Sequence, residues 1–279
     1  MLKLTIITIN YNNKEGLIKT FESIQSQTWK DFEYIVIDGG STDGSVELIK
    51  NNPQVTKWVS EKDSGVYNAM NKGILISNGI YINFMNSGDF FYSSNTLEKI
   101  HHNLNGNESI LYGNSIFFNE EKNTKFNQTP PDKLSFAHFY CSGINHQATF
   151  IKRELFSKYF LYDESYKICA DWVFFIRVIC SFNESYLHLK EYICYYDFSG
   201  ISADPANLHL YNSERELTFE KYFSHFEIKD LHILEEAKHK RIQDILYIKK
   251  HKLPWALLKT CSKILLLFLP KQKKNINII

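Results

Sequence analysis

The sequence predicts an α/β fold with a mainly parallel sheet flanked by helices, followed by a helical C-terminal extension. Short β-branched apolar runs alternate with segments of helical periodicity over residues 1–90, which is typical of βαβ units. The runs are apolar throughout, as expected of parallel strands buried on both faces. Beyond residue 208, apolar residues recur mostly at helical spacing.

The elements follow in order along the chain. Strands are expected at 4–9, 34–37, 56–60, 79–85, 109–118, 145–152 and 186–196. Helices are expected around 17–24, 45–51, 66–76 and 171–182, and three more between 208 and 269 with a break near Pro254. The polar segment 119–133 contains two adjacent prolines and is expected to be a loop.

Composition narrows the possible classes of protein. The chain has 279 residues, 44% of them hydrophobic, and a net charge of +1, so we expect a folded protein that does not bind nucleic acid. Its five cysteines form no Cys-x-x-Cys pair, which favours reduced thiols in the cytoplasm over disulfides or a zinc site. No apolar run could cross a bilayer, and the run at 4–9 is too short for a signal peptide.

Polar side chains follow the first four predicted strands. Asn10 and Tyr11 follow the first strand, and Asp38, Asp63 and Asp89 follow the next three. Ligands of open parallel sheets bind outside the carboxyl ends of the strands. Three carboxylates there would repel one another, so a divalent cation, ligand hydroxyls or ligand amides are expected to compensate them. A single aspartate in such a position is more commonly a helix cap or turn residue.

The turn after the first strand lacks a Gly-x-Gly-x-x-Gly fingerprint, and no P-loop motif occurs. The sequence therefore disfavours both a dinucleotide-dependent dehydrogenase and a P-loop enzyme. An acidic rim with a metal ion is a different way to hold a nucleoside diphosphate.

Five segments of the first 90 residues occur in a characteristic order. They are TIITINYN at 5–12, QSQTW at 25–29, YIVIDGGSTDG at 34–44, DSGVYNAMNKG at 63–73 and NFMNSGD at 83–89. Together they resemble the nucleotide-sugar half of family 2 glycosyltransferases, which have the GT-A fold, and most resemble the branch that builds bacterial surface polysaccharide and lipopolysaccharide. The resemblance is dense over 1–90 and thinner to about 200, through 145–150 and 169–172.

The resemblance implies a domain organisation and a donor site. A glycosyltransferase domain would span 1–205, with a nucleotide-sugar half at 1–106 and an acceptor half at 107–205, and a helical region with a basic amphipathic tail at 206–279. Asp89 would bind Mn²⁺ or Mg²⁺, since Ser87-Gly-Asp89 stands where the family has Asp-x-Asp. The implied nucleotide-sugar-binding residues are Thr8, Asn10, Tyr11, Asp38, Asp63, Asn68, Lys72, Ser87, His146 and Gln147. The alternative for Asn68 and Lys72 is a position on a solvated helix face. The alternative for His146 is a structural histidine.

The resemblance also implies a catalytic base, Asp171, at the start of a helix. The helix N-terminus would stabilise the carboxylate, while Trp172 and Phe174 would raise its pKa by desolvation. Asp171 would deprotonate an acceptor hydroxyl, which attacks the sugar opposite the diphosphate and inverts the anomeric configuration. A plain N-cap aspartate is the alternative.

The implied partners are a nucleoside diphosphate sugar, with a UDP-sugar expected, and a glycan or lipid-linked acceptor. Eight lysines and no acidic residue follow Asp244, and 255–269 has an apolar face that includes Leu257, Ile264 and Phe268. This tail suits an anionic membrane surface, which would make the protein cytoplasmic and peripheral at the inner face of the cell membrane. The alternative is a helix packed on the body or on a second subunit.

Two other functions fit parts of the pattern. A sugar nucleotidyltransferase would also use a metal-bearing α/β sheet, but residues 10–16 lack the glycine-rich basic loop expected for a triphosphate. A non-catalytic carbohydrate-binding or scaffold protein could retain the fold with an incomplete Asp-x-Asp.

Overall fold

The structure, a computed structural model, describes residues 2–120, 122–200, 204–224, 228 and 240–269. The chain divides into two compact units, Met1–Tyr222 and Phe223–Ile279. The first unit contains a mixed nine-stranded sheet with helices on it. The described part of the second unit is helical.

The strands of the sheet run in the order β3-β2-β1-β4-β8-β6-β9-β5, with β7 paired to β6. Their bounds are β1 Leu4–Asn10, β2 Phe32–Asp38, β3 Lys57–Ser60, β4 Tyr81–Phe84, β5 Phe90–Phe91, β6 Ile110–Asn119, β7 Thr124–Gln128, β8 Thr149–Lys152 and β9 Tyr186–Asp197.

The described helices of the first unit alternate with the strands from β1 to β4 and are placed less regularly after β4. They are α1 Lys14–Ser26, α2 Ser45–Asn51, α3 Val66–Ile76, α4 Thr96–Ile100, α5 Phe136–Cys141, α6 Glu154–Lys158, α7 Ala170–Ile176 and α8 Leu208–Tyr222. The described helices of the second unit are α9 Lys240–Lys249 and α10 Lys252–Leu266.

Strands β1 to β4 form the predicted parallel half of the sheet. β1 pairs in parallel with β2 and β4, and β2 pairs in parallel with β3. The inner strands are buried because their apolar residues face helices on both sides. A Cβ on Gly73 of α3 would lie 2.7 Å from Ile7 Cγ2, so α3 lies very close to β1. This contact fixes the loop before α3, which carries Asp63.

The other half of the sheet is mixed rather than mainly parallel. β8 runs antiparallel to β4 and β6, whereas β6 and β9 run parallel to each other. β6 is long, so its first part pairs with β8 and its second part with β7. β6 and β9 therefore run in the same direction as β4, so their carboxyl ends lie at the same edge of the sheet as the carboxyl ends of the parallel strands. The amino end of β7 pairs with the carboxyl end of β6 at this edge.

Several predicted elements differ in the structure. The loop predicted at 119–133 contains β7, an edge strand whose residues are mostly exposed and therefore lack an apolar pattern. The strand predicted from residue 145 begins at Thr149, after a 3₁₀ turn at His146–Ala148. The helix predicted to reach residue 182 ends as α7 at Ile176 and continues as a π turn over Arg177–Ser181.

The boundary expected after residue 205 and the break expected at Pro254 also differ. The first compact unit extends to Tyr222, because α8 buries Glu214, Thr218 and Phe219 against it. Pro254 lies in the first turn of α10, where its missing N–H has no intrahelical partner to lose, and α9 ends before it at Lys249.

Candidate active site

A cleft of ≈ 1160 Å³ lies in the first unit at the carboxyl ends of the parallel strands. Its lining includes Asn10 at the end of β1, Asp63 in the turn after β3, and Asp89 after β4. The start of α7 and the end of β9 form further walls, through Asp171 and Asp197. Carboxylates from separate parts of the chain thus share one cavity, as predicted.

One end of the cleft is polar and open. Tyr11 is 68% exposed and lies beside Gly39, where a Cβ would come within 3.1 Å of Tyr11 Cδ2 and 3.0 Å of Asp63 Oδ2. Any larger residue at position 39 would therefore make Tyr11 or Asp63 shift by a few tenths of an ångström. Asp63 Oδ1 accepts a hydrogen bond from Lys72 Nζ at 2.6 Å, so this carboxylate is held in a fixed position. The exposed ring and the carboxylate could bind a planar ring bearing N–H groups.

Thr8 and Asp38 lie beneath the cleft and do not line it. Asp38 is fully buried and accepts hydrogen bonds from Asn10 Nδ2 at 2.9 Å and Ser60 Oγ at 2.7 Å, and from the turn at Ser41. Burial favours a raised pKa, but these hydrogen bonds outweigh it and hold the pKa of Asp38 below its ordinary value. Thr8 Oγ1 donates to Met85 O at 2.7 Å. Both side chains are thus engaged in contacts that hold the cleft floor.

Asn68 and Lys72, expected on the ribose or diphosphate side, also lie outside the cleft lining. Asn68 Nδ2 donates to Glu164 Oε2 at 2.9 Å. Lys72 forms ion pairs with Glu61 and Asp63 at 2.8 and 2.6 Å. Both side chains also contact the loop that carries Asp63, since Lys72 pairs with Asp63 itself and Asn68 Oδ1 accepts from Ser64 N.

Asp89 is a buried carboxylate in the cleft wall, 4% exposed. Its Oδ2 accepts from Gln147 Nε2 at 2.8 Å and its Oδ1 from the backbone N–H of Asp197 at 2.9 Å. Burial raises the pKa of Asp89 to about 7, although both hydrogen bonds act to lower it. An ionised Asp89 at neutral pH therefore calls for a compensating positive charge.

The oxygens around Asp89 fit a hard divalent cation. Asn86 Oδ1 and Gln147 Oε1 are buried, lack a hydrogen-bond partner, and belong to residues that line the cleft. Carboxylate and amide oxygens are ligands that Mg²⁺ and Mn²⁺ accept. No cluster of three or more His, Cys, Asp or Glu side chains placed for a metal ion occurs among the described residues. The set is thus one carboxylate with amide oxygens, which agrees with the incomplete Asp-x-Asp. Ser87, which stands where the family has the first aspartate of Asp-x-Asp, donates its hydroxyl hydrogen to Asn10 Oδ1 at 2.8 Å.

Asp171, in the first turn of α7, contacts two side chains that line the cleft with it. Its Oδ2 lies 2.7 Å from His146 Nδ1 and its Oδ1 lies 2.9 Å from the Tyr67 hydroxyl. On the other side of the imidazole ring, Asn86 Nδ2 lies 3.2 Å from His146 Nε2.

The protonation states of this group follow from its contacts. Burial favours a raised pKa for Asp171, but hydrogen bonds from His146 and Tyr67 outweigh it and hold the pKa below its ordinary value. Burial and the nearby Asp171 charge raise the pKa of Tyr67, which stays protonated. The arrangement presents an ionised carboxylate, fixed in orientation, that can accept a proton.

Sequence reasoning missed three residues of the cleft. Tyr67 lies at a helical core spacing in α3 and gave no separate signal, although it belongs to one of the quoted segments. Asn86 precedes the Ser-Gly-Asp motif. Asp197 ends β9, and the rule that selected Asp38 and Asp89 could have selected it too.

The chain is similar to a known protein family and to curated relatives. The family model described as Glycosyl transferase family 2 matches residues 5–169. A PGL/p-HBAD biosynthesis glycosyltransferase of Mycobacterium bovis (strain BCG / Pasteur 1173P2) is 31% identical over 211 residues, which cover 71% of this chain and 78% of that protein. An uncharacterised glycosyltransferase of Mycobacterium tuberculosis (strain ATCC 25618 / H37Rv) is 29% identical over 72% of this chain and 77% of its own length.

Solved structures share the fold at low sequence identity. S. aureus TarS 1–349 in complex with UDP matches with a TM-score of 0.56 and 16% identity, over 70% of this chain and 60% of that one. The match to the crystal structure of S. aureus TarS covers 36% of the TarS chain. The mannosyltransferase PcManGT from Pyrobaculum calidifontis, in complex with GDP-Man and Mn²⁺, has a TM-score of 0.56 and 14% identity, over 95% of this chain and 80% of that one.

These similarities confirm the expected GT-A-type α/β fold. The family match covers more than half of the chain and includes the segments on which the resemblance was based. The chain is a glycosyltransferase and belongs to glycosyl transferase family 2.

Proposed function

We propose that the protein is an inverting glycosyltransferase that moves a sugar from a nucleoside diphosphate sugar to a hydroxyl of a glycan or lipid-linked acceptor in surface polysaccharide biosynthesis. The observation that carries the proposal is the Asp171 carboxylate, held by His146 and Tyr67 in the same cleft as Asp89 and Asp63. It supports the proposal because a carboxylate that can accept a proton shares one cavity with groups that suit a donor.

The polar end of the cleft supports a nucleotide donor, and we propose a UDP-sugar. Tyr11 offers an exposed ring, and Asp63 offers acceptors for the N–H or hydroxyl groups of a nucleoside. TarS structures contain UDP or UDP-GlcNAc, whereas the PcManGT structure contains GDP-Man. Asn10, Ser87, His146 and Gln147 line the same cleft as Asp63 and Asp171.

The reaction then follows from the side chains. Asp171 accepts the proton of the acceptor hydroxyl while the hydroxyl oxygen bonds to the anomeric carbon. The bond from that carbon to the diphosphate oxygen breaks on the opposite face, so the configuration inverts. Asp89, Asn86 and Gln147 would hold Mn²⁺ or Mg²⁺, which when bound compensates the negative charge of the leaving diphosphate.

An Asp171→Asn variant tests the role of Asp171. Free nucleoside diphosphate is measured with MnCl₂ and a panel of UDP-glucose, UDP-GlcNAc and GDP-mannose. We expect turnover to fall by about 100-fold or more, as for loss of a general base, with donor affinity retained. Asp31→Asn is the matched control, because Asp31 is exposed and lies just before β2, at the opposite end of that strand from Asp38.

Activity of Asp171→Asn within tenfold of the wild type would remove Asp171 from this role. Failure of the wild type to turn over any donor, with binding intact, would instead favour a carbohydrate-binding or scaffold protein. An Asp89→Ala variant that binds donor and Mn²⁺ normally in calorimetry would contradict the role proposed for Asp89.

We also propose that the C-terminal region contacts an anionic membrane surface. In α10, Leu253 and Leu257 are 80% and 68% exposed, and the same helix carries Lys252, Lys259 and Lys263. Exposed apolar and cationic side chains on one helix suit a membrane interface. Lys271, Lys273 and Lys274, which belong to the predicted basic tail, lie outside the described residues. No described helix is long and apolar enough to span a bilayer.

The membrane proposal is tested with the full chain and vesicles. Changing all three lysines of α10 to glutamine should weaken binding to phosphatidylglycerol-containing vesicles by more than tenfold, since each lysine contributes about 1 kcal/mol near such a surface. Phosphatidylcholine vesicles are the control. Unchanged binding to the anionic vesicles would contradict the proposal and favour α10 as a packing surface for protein.

A further inference from the structure

We propose that Glu214 of α8 is a positioning residue for Asp171. The proposal rests on the proposed role of Asp171 as the proton acceptor. Glu214 does not line the cleft, so it would act through the backbone that precedes α7 and not through a substrate.

The contacts between Glu214 and that backbone are direct. Glu214 Oε1 accepts from the N–H of Lys167 at 2.6 Å. Its Oε2 accepts from the N–H groups of Ile168 and Cys169 at 3.0 and 2.9 Å. One carboxylate therefore binds three consecutive amides immediately before α7. These amides have no partner inside α7, since they precede or begin it, and Cys169 supplies no capping side chain.

The position of segment 167–169 affects two side chains of the site, Tyr67 and Asp171. The carbonyl oxygen of Ile168 lies 2.6 Å from the Tyr67 hydroxyl, which also contacts Asp171 Oδ1. Asp171 itself follows Cys169 by two residues. A change in the path of 167–169 would therefore move the carboxylate and the tyrosine that orients it.

Glu214 is itself held firmly. It is 7% exposed, and its helix buries Thr218 and Phe219 beside it. The next residue, Arg215, donates through Nη2 to Phe139 O at 3.0 Å, and its guanidinium lies 4.4 Å from the centre of the Trp172 ring. Trp172 is the residue after Asp171. Helix α8 thus contacts the segments on both sides of Asp171.

The charge of Glu214 matters as well as its shape. An amide in its place would turn an NH₂ group toward one of the backbone N–H groups, so one amide would lose its acceptor. Hydrogen bonds to an ionised acceptor are also about twice as strong as neutral ones. Glu214→Gln therefore loosens the segment 167–169 while keeping the side-chain volume.

The experiment compares Glu214→Gln with Glu216→Gln, an exposed glutamate of the same helix. Turnover of UDP-sugar with MnCl₂ should fall about 10- to 100-fold in Glu214→Gln, as expected for a catalytic group displaced by up to about 1 Å. The donor affinity of Glu214→Gln should stay within twofold of the wild-type value. The turnover and donor affinity of the control variant Glu216→Gln should stay within the same range. Amide hydrogen exchange at 167–169 should become at least tenfold faster, with the sheet unchanged.

A double variant shows whether Glu214 acts through Asp171. In the Asp171→Asn background, Glu214→Gln should lower turnover less than twofold further, whereas independent effects would multiply. If Glu214→Gln folds poorly, Glu214→Asp keeps the charge with a shorter reach and should show smaller changes of the same kind.

The outcomes separate this proposal from the proposed function. If Asp171→Asn is inactive but the glutamate variants turn over donor as the wild type does, Glu214 is not a positioning residue. Multiplicative effects in the double variant, or a loss of donor affinity equal to the loss of turnover, would overturn it as well. If Asp171→Asn keeps its activity, the role of Asp171 fails first, and the proposal for Glu214 fails with it.

Discussion

Replacing Asp89 by asparagine should stabilise the protein in the absence of divalent cations. Asp89 is buried and its pKa is raised to about 7, so its ionised form is costly in the folded chain. Asparagine can keep the acceptor for the Asp197 N–H. Its NH₂ group would face Gln147, whose Oε1 lacks a partner and can accept from it after rotation of the amide.

The magnitude follows from the pKa of Asp89 in the two states. The difference between an ordinary value of 3.8 and about 7 corresponds to about 4 kcal/mol, which we take as an upper limit. A pKa raised on folding stabilises the folded state fully below pH 3.8, and this contribution is lost as the pH rises through about 7. The variant should therefore gain about 2–4 kcal/mol over the wild type at pH 8, and much less at pH 5.

The assay is urea unfolding with EDTA at pH 5 and pH 8. Asp31→Asn is the control and should match the wild type at both pH values. Replacing EDTA by Mn²⁺ should stabilise the wild type but not Asp89→Asn. An equal or lower free energy of unfolding for Asp89→Asn at pH 8, or a gain that does not depend on pH, would refute the reasoning.

Three further changes probe the fold. Burial acts to raise the pKa of Glu184, but hydrogen bonds from Lys158 and other donors outweigh it and lower the pKa to about 2. Glu184→Gln should therefore lower the free energy of unfolding at pH 7 by about 1 kcal/mol after solvent screening, and the difference should vanish as the pH falls from 4.5 to about 2. Phe150→Ala, at a fully buried site, should cost about 3–5 kcal/mol in the same assay. Gly79→Ala should cost about 1–3 kcal/mol, since its Cβ would lie 2.5 Å from Thr5 N; wild-type stability would contradict that packing.

Much of the fold could be predicted because buried parallel strands carry an unmistakable pattern. The predicted runs at 4–9 and 34–37 coincide with β1 and β2, and their polar ends mark the cleft. β5 and β7 could not be predicted, because one has two residues and the other is an exposed edge strand without apolar alternation. The existence of β5 depends on β9, far away in the chain, whereas β7 pairs with the preceding strand β6.

The candidate site was predictable in its residue types more than in its contacts. Motif order brought Asp63, Asp89 and Asp171 together correctly, since all three line the cleft. The same motifs could not show that Asp38 is fully buried, because orientation depends on partners such as Ser60. Glu214 gave no signal, since its partners lie more than 40 residues earlier in the chain.

The continuous sheet has a mechanical consequence. The two sides of the cleft, which belong to the parallel and the mixed halves of the sheet, are joined through the pairing of β4 with β8, at Tyr81–Lys152 and Ile82–Ile151. Rotating one side away from the other as a lobe would break these backbone hydrogen bonds within a buried core. We therefore expect substrates to enter and products to leave by rearrangement of loops at the rim, such as 62–65 and 141–145, while the sheet beneath stays rigid.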